Sequence, residues 1–243
     1  MDSEQGSGGS GHGVAARTHT GHVRERNEDS LHVGDGFWLV ADGLGGHEGG
    51  AIASALATAA ITALARLSPG SAGLTAAITS AHHVLVEFGA KVGLAGMGTT
   101  VVAAMQEQEE VTVVWVGDSR AYQLTETGLR QLTRDHNQAG ELLAQGLISE
   151  EQAASHPGQT HLTRALGTGR EQPPEPDTVT APAQGRLLLC SDGLTGELDN
   201  ARIQELLSRG NAEEAADALL EAALASGADD NVTLVVIDLG SGR

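Results

Sequence analysis

The sequence predicts an α+β protein whose sheets are antiparallel. Three observations carry that reading. Apolar runs of strand length lie next to other such runs, and stretches of helical period arrive in pairs. No linker within residues 14–240 is long enough to separate domains, so those residues read as one domain with its own core. The alternating strand–helix order that builds parallel sheets is missing.

Taken in order, the first 13 residues, "MDSEQGSGGSGHG", are polar and Gly/Ser-rich, and read as a disordered tail. They have no apolar stretch and so form neither a signal peptide nor an anchor. Strands are expected at Ala15–Thr18, Ser30–Val33 and Phe37–Ala41. Two helices should follow, Gly50–Leu67, closed by "SPG", and Ala72–Val92. The second places Leu74, Ala77, Ile78, Ala81, Leu85 and Phe88 at helical spacing. The run Ala51–Ala65 is rich in Ala, Thr and Ser and shorter than the ~20 residues of a membrane span.

A β-rich block occupies Gly98–Leu132, with "TETG" (Thr125–Gly128) as a hairpin turn. Residues 136–170 change character to short, polar and helical, and Ser149 with Gln152 forms a capping-box signal. "RLLLCSD" is a further strand. Helices near Ala201–Ser208 and Ala212–Ala225 follow, with Asn200 and Asn211 where N-caps belong. "NVTLVVIDL" closes the chain as a strand.

The charge balance excludes some functions. With 14 basic and 32 acidic residues, the chain carries a formal net charge of −18. That opposes nonspecific nucleic-acid binding and attraction to an anionic membrane, and suits a protein that gathers cations. One cysteine, Cys190, permits no internal disulfide and points to a reducing, cytoplasmic setting. Within the "LLLCSD" strand it reads as a buried, inert thiol.

The chemical signal lies where the apolar runs end. "FWLVAD" ends at Asp42, "VTVVWVGD" at Asp118 and "RLLLCSD" at Asp192, while Asp229 and Asp230 precede "NVTLVVI". An unpaired buried carboxylate is costly, so these ends should be solvated, paired or metal-bound. Arg120, just after Asp118, is one candidate to neutralise them. Hard divalent cations are the other, because Mg²⁺ and Mn²⁺ take oxygen ligands. Gly43 and Gly193 each follow an aspartate and Gly117 precedes one, which lets backbone approach an ion closely. Asp-Gly after a strand is also an ordinary turn, and spacing alone leaves both readings open.

The glycine-rich loop after Asp42 is not a phosphate cradle. It lacks the lysine of a P-loop, and Glu48 stands where a dinucleotide fingerprint needs its last glycine. Asp42 lacks the alternating ligands of an EF-hand, and a lone cysteine excludes a cysteine-type zinc site.

"GHVRERNEDS" (Gly21–Ser30), "VADGLGGH" (Val40–His47), "GTTVV" (Gly98–Val102), "VGDSRAY" (Val116–Tyr122), "LTRDH" (Leu132–His136), "RALG" (Arg164–Gly167), "CSDGL" (Cys190–Leu194) and "DDNVTLVV" (Asp229–Val236) occur in that order. Together they resemble the type 2C class of metal-dependent serine/threonine protein phosphatases, in its bacterial form. The resemblance covers about residues 14–240. It implies an α-β-β-α sandwich, two antiparallel sheets flanked by helix pairs, with a centre of two Mn²⁺ or Mg²⁺ ions at one end.

Carried over by position, the resemblance implies that Asp42 bridges the two ions. Asp192 and Asp230 would ligate one, and Glu28 and the Gly43 carbonyl the other. Asp118 matches the position that holds a third, weaker ion together with Asp192. Asp29 would orient the nucleophilic water, and Arg24 would hold the substrate phosphate. These roles suit the chemistry. Phosphate-monoester hydrolysis is very slow uncatalysed, and two ions about 3.5–4 Å apart can yield hydroxide at neutral pH. Arg24 brings a permanently charged fork for phosphate oxygens.

Animal members carry a histidine after Asp-Gly, proposed as the general acid; here that place is Leu44. His47, better read as a loop histidine, and a metal-bound water near Asp118 are the alternative proton donors. His82 and His83 read as structural, and residues 136–170 resemble the family's flap beside the active site.

The expected partners are phosphorylated proteins, the products of a serine/threonine kinase, met by a monomer without nucleic acid or membrane. Two rival readings stand beside this one. The first is a catalytically weak binding module of the same fold, against which the intact acidic set weighs. The second is a phosphatase dedicated to one regulatory protein or to small phosphomonoesters.

Overall fold

The computed structural model describes residues 13–34, 36–44, 48–68, 70–168 and 172–240. The tail expected over the first 13 residues lies outside them except for Gly13, as does His47. Strands β1 (Val14–His19), β2 (Asp29–Gly34) and β3 (Phe37–Leu44) lead into helices α1 (Glu48–Leu67) and α2 (Ser71–Val92). The β-rich block resolves into β4 (Gly98–Thr99), β5 (Val101–Glu107), β6 (Glu110–Val116), β7 (Arg120–Thr125) and β8 (Gly128–Gln131). Two short helices, α3 (Gln138–Ala144) and α4 (Glu150–Ala153), and a 3-10 turn at Pro157–Thr160 come next. The chain then forms β9 (Asp177–Pro182), β10 (Gly185–Cys190), α5 (Asp192–Thr195), α6 (Asn200–Leu207), α7 (Ala212–Ser226) and β11 (Val232–Leu239).

Among the described residues the strands form two sheets. One has the order β1-β11-β10-β7-β8 and the other β2-β3-β5-β6-β9, with β4 added to β3. All these pairings are antiparallel. The strands alternate between two buried faces, so each sheet supplies two apolar layers. Between the sheets lie Trp38, Val40, Val102, Val113, Leu187, Leu189, Val235 and Ile237. On the outer face of one sheet Leu39, Ala103 and Val114 meet α1 and α2 through Ala53, Ile61, Ile78 and Leu85. On the outer face of the other, Leu188, Leu234 and Val236 meet α6 and α7 through Ile203, Leu207 and Leu219. The result is the expected α-β-β-α sandwich. Alanine, leucine and valine dominate these layers, as a chain with 2% aromatic residues requires.

Helix α1 runs to 20 residues, so by length and composition it could cross a membrane. Its packing argues for a core helix, since Ala53, Ala57 and Ile61 are fully buried against the sheet and α2.

Several elements differ from the expectation. Strand β3 continues through Asp42 to Leu44, because Gly43 and Leu44 pair with Thr99 and Gly98. Asp42 therefore stands inside a strand and not in a turn. Strand β9, between proline-containing segments, has no counterpart in the sequence reading; it is an edge strand held by β6. The N-cap of α6 is Asp199, whose carboxylate accepts from Arg202 N–H at 2.8 Å, and not Asn200. Asn211 caps α7 and Ser149 caps α4, each with its capping box. The hairpin turn between Thr125 and Gly128 is present.

Candidate metal centre

The strand ends converge. A cavity of about 260 Å³ at one rim of the sandwich is lined by Arg24, Glu28, Asp42, Gly43, Leu44, Asp118, Asp192, Asp230 and Asn231, with Thr160 and Leu162 from the flap side. The acidic residues come from both sheets. Asp42 lies on β3, Asp118 just past β6, Asp192 at the start of α5 after β10, and Asp230 before β11. Antiparallel pairing brings these termini to a shared edge. Asp229, by contrast, is exposed and is not among the lining residues.

The rim is held by backbone contacts that leave little slack. The Asp42 carbonyl accepts from Thr100 N–H and from the Thr99 hydroxyl, both at 2.8 Å, and Asp42 N–H donates to Thr100 Oγ1 at 3.2 Å. Gly43 N–H donates to the Glu28 carbonyl at 3.2 Å. A Cβ on Gly43 would collide with the carbonyls of Gly50 and Glu28, and one on Gly50 would strike the Glu28 carboxylate. Gly193 is required for a different close approach, to the Asn231 carbonyl.

Asn231 is the main clasp of the loop that carries Arg24 and Glu28. Its Oδ1 accepts from Glu28 N–H at 2.7 Å, and its Nδ2 donates to the carbonyls of Thr20 and Arg26 at 2.8 and 2.9 Å. Arg24 Nη2 reaches Asp230 Oδ2 at 2.7 Å across the cavity mouth. Asp29 faces Asp42 in the β2–β3 register. Its Oδ2 accepts from Ser191 Oγ at 2.9 Å, while Oδ1 is enclosed and without a partner.

The electrostatics are those of crowded acids. Asp42 lines the cavity, whereas Asp29 stands behind it and is not among the lining residues; protein surrounds both, and desolvation dominates their titration. Burial pushes Asp29 up to about 7 against the hydrogen bonds from Thr233 and Ser191. Burial, with Asp192 and Asp135 as like charges, pushes Asp118 up to about 8. Asp42 is raised well above the usual carboxylate range by burial and by Asp192 and Asp29, and Asp192 is raised mainly by burial.

Arg120 makes no direct ion pair with this set, although its charge opposes the upward shifts of Asp118 and Asp192. Its guanidinium is committed to Asp135, at 3.0 Å from Nε and 2.7 Å from Nη2, and to the Tyr122 hydroxyl at 3.0 Å. Cys190 is fully buried with its thiol pushed up to about 12 by burial, the inert state expected.

These residues fit a hard divalent cation. The donors are all oxygen, the unpartnered Asp29 Oδ1 lies beside them, and positive charge at the cavity would relieve the cause of each upward shift. Among the described residues no three such groups are already drawn into a closed coordinating cluster, so the set converges without being clenched.

Sequence reading named every acidic member but missed the residues that hold them. Thr99, Thr100, Ser191, Asn231 and Thr233 are each buried and polar beside an apolar strand. That was the available signal, because buried polar groups must find partners.

A face-to-face antiparallel sandwich with helix pairs outside and an acidic cavity at one rim is the architecture of a metal-dependent phosphatase. The chain belongs to the protein phosphatase 2C family, whose pattern it matches over residues 18–226. It is 39% identical to the serine/threonine protein phosphatase PstP of Mycobacterium tuberculosis over 93% of this chain, and spans 44% of that protein's length. It is 38% identical to the serine/threonine phosphatase stp of Listeria innocua, over 91% of this chain and 94% of that one. The solved catalytic domain of PstP in complex with two manganese ions superposes with a TM-score of 0.83 at 37% identity, covering 93% of this chain and 97% of that one.

Proposed function

We propose that this chain hydrolyses phosphoserine and phosphothreonine esters in proteins, with two Mn²⁺ or Mg²⁺ ions as its cofactors. The observation that carries the reading is the convergence of Glu28, Asp42, Asp118, Asp192 and Asp230 with Arg24 on one cavity. Asp42 would bridge the ions, Asp192 and Asp230 would hold one, and Glu28 with the Gly43 carbonyl the other. Asp118 with Asp192 is the position for a third. When bound, the ions would lower the pKa of a coordinated water so that it loses its proton to solvent and is available as hydroxide at neutral pH.

The remaining work falls to side chains. Asp29, held at Oδ2 by Ser191, stands beside the ligand set, from where its enclosed and unpartnered Oδ1 would orient the attacking water once the ions are bound. Arg24 is poised at the mouth, where its fork can exchange Asp230 for the phosphate oxygens and offset charge in the transition state. Attack is direct, with no phosphorylated side chain on the path. A trapped phosphoryl adduct on any residue would contradict this.

Residues 14–240 are read as one catalytic domain, working in the cytoplasm as a monomer on the products of a serine/threonine kinase, in signalling. The binding-module alternative is disfavoured by the complete acidic set. Hydrolysis of p-nitrophenyl phosphate with and without Mn²⁺ tests the proposal, with Asp42→Ala as control. Turnover that requires Mn²⁺ and disappears in the variant supports it. Absence of Mn²⁺-dependent turnover in the unaltered chain transfers the assignment to the binding module.

A further inference from the structure

His136 lies where the chain has left β8, the edge strand of the first sheet, and enters the flap. It is 1% exposed, its ring stacked on Trp115 at 6.0 Å between centroids and 21° between planes. Two bonds join it to Gly117, the residue immediately before Asp118. His136 N–H donates to the Gly117 carbonyl at 3.0 Å, and Gly117 N–H donates to His136 Nδ1 at 3.1 Å.

Gly117 has φ +113°, and a Cβ there would lie 2.5 Å from Thr100 Cβ, so no residue with a side chain fits at this point. Its N–H is buried and needs an acceptor.

These contacts fix the state of the imidazole. Because Nδ1 accepts from Gly117, the ring proton sits on Nε2. That nitrogen is 3.3 Å from Asp177 Oδ2 and 3.4 Å from Arg164 Nη1. The proton goes to Asp177, and Arg164 Nη1 is satisfied by Asp177 Oδ1 at 2.8 Å. Arg134 also donates to Asp177 Oδ2, at 2.9 Å. With two guanidiniums on one carboxylate, an imidazolium would add a third cation and set an N–H against the Gly117 N–H.

The same residues tie down the flap's exit. Thr163 N–H donates to the His136 carbonyl at 2.8 Å, and Asn137 bridges to Leu162, which lines the cavity.

We propose that His136 is a positioning residue for Asp118. Its neutral Nδ1 holds the Gly117 backbone and so the carboxylate after it, while its Nε2–H and carbonyl fasten the flap ends to the same point. The Asp118 backbone and the flap's ends thereby meet at one residue, with Leu162 bridged to its neighbour Asn137. This deepens the proposed function and rests on the reading of Asp118 as a metal ligand.

Two variants separate the ring's two nitrogens. His136→Asn places an amide oxygen near the position of Nδ1 and keeps an acceptor for Gly117. His136→Gln places an amide nitrogen near Nε2, keeps the donor to Asp177 and leaves Gly117 N–H unpaired. Mn²⁺ binding is followed by calorimetry, and kcat and KM with p-nitrophenyl phosphate. The Asn variant should keep kcat and the Mn²⁺ requirement within about threefold of the unaltered chain. The Gln variant should bind the weaker Mn²⁺ about tenfold less tightly and lose kcat by a similar factor, with KM nearly unchanged.

Equal behaviour of the two variants would overturn the proposal, as a merely structural histidine predicts. The nitrogen-15 shifts of the unaltered protein give an answer that needs no variant. An Nε2–H tautomer at pH 7 supports the proposal, and an Nδ1–H tautomer or an imidazolium overturns it. Loss of Mn²⁺-dependent turnover in the unaltered chain would instead sink the phosphatase reading, which keeps the two failures apart.

Discussion

The two walls of the cavity are built on opposite plans. The sandwich rim is stiff. Asp42 is pinned by Thr99 and Thr100, Glu28 by Asn231, and Gly43, Gly50 and Gly193 sit where no Cβ fits. The flap wall, 137–168, is built from helices of seven and four residues and a 3-10 turn. Its bend at Gly146 has φ +70°, with no heavy atom within 4 Å of the place a Cβ would take, and Leu147 beside it is 65% exposed. Such a segment is secured at its ends and loose between them. The contrast assigns chemistry to the wall that cannot move and leaves adaptation to the other.

The largest break in that contrast should come from the rim. Asp42→Ala removes the carboxylate shared by the proposed ion positions. Phosphatase kcat should fall by about a thousandfold or more, the equivalent of several kcal/mol of lost transition-state stabilisation. Thermal melting of the metal-free variant should not fall below that of the unaltered chain, since a crowded carboxyl raised in pKa has been removed. Steady-state kinetics and calorimetric scans check both parts.

Next in size is the clasp. Asn231→Ala leaves the half-buried Glu28 N–H without its acceptor, and two carbonyls without their donor. A stability loss of about 2–3 kcal/mol in urea unfolding is expected. A loss under about 0.5 kcal/mol, the range of an ordinary surface substitution, would mean that the loop is held by other contacts.

A smaller effect comes from the hinge between the walls. Burial lowers the pKa of His136 from 6.5, with Arg164 adding to this and Asp177 opposing it. The unfolded chain therefore takes up the proton first as pH falls. Stability from the neutral ring is fully present above about 6.5 and is lost as pH drops toward the lower folded value, with a slope of at most about 1.4 kcal/mol per pH unit. Melting curves of the unaltered chain and of His136→Asn, from pH 7.5 to 5.5, should diverge in that direction only. Parallel curves would show that the ring does not titrate on unfolding in this range.

The smallest effect belongs to the flap's bend. Leu147→Ser should change stability by less than about 0.5 kcal/mol and leave p-nitrophenyl phosphate turnover as it was. A large loss in either would erase the distinction between the two walls.

The rim was also the more legible wall. A carboxylate at the end of a valine- or leucine-rich run announces a cost that something must offset, and four such ends in one chain suggested convergence. Geometry then decided what spacing could not, since β3 runs on through Asp42 and rules out the turn. Asn231 and Thr100 sat unassigned inside recognised motifs, because a single polar residue does not reveal which distant backbone group it will meet. The direct partner of Arg120 was missed for the same reason, as Asp135 lies across the hairpin. Strand β9 escaped because only an edge pairing with β6 orders it. Asp199 and Asn200 are adjacent and both good caps, so composition alone could not choose between them.

The central claim is that the converging carboxylates form one metal centre shared through Asp42. Calorimetric titration of Mn²⁺ into the metal-stripped chain and into Asp42→Asn tests it most directly. The account predicts at least two bound ions in the unaltered chain and the loss of both tight sites in the variant. Retention of two tight sites without the Asp42 carboxylate would contradict it.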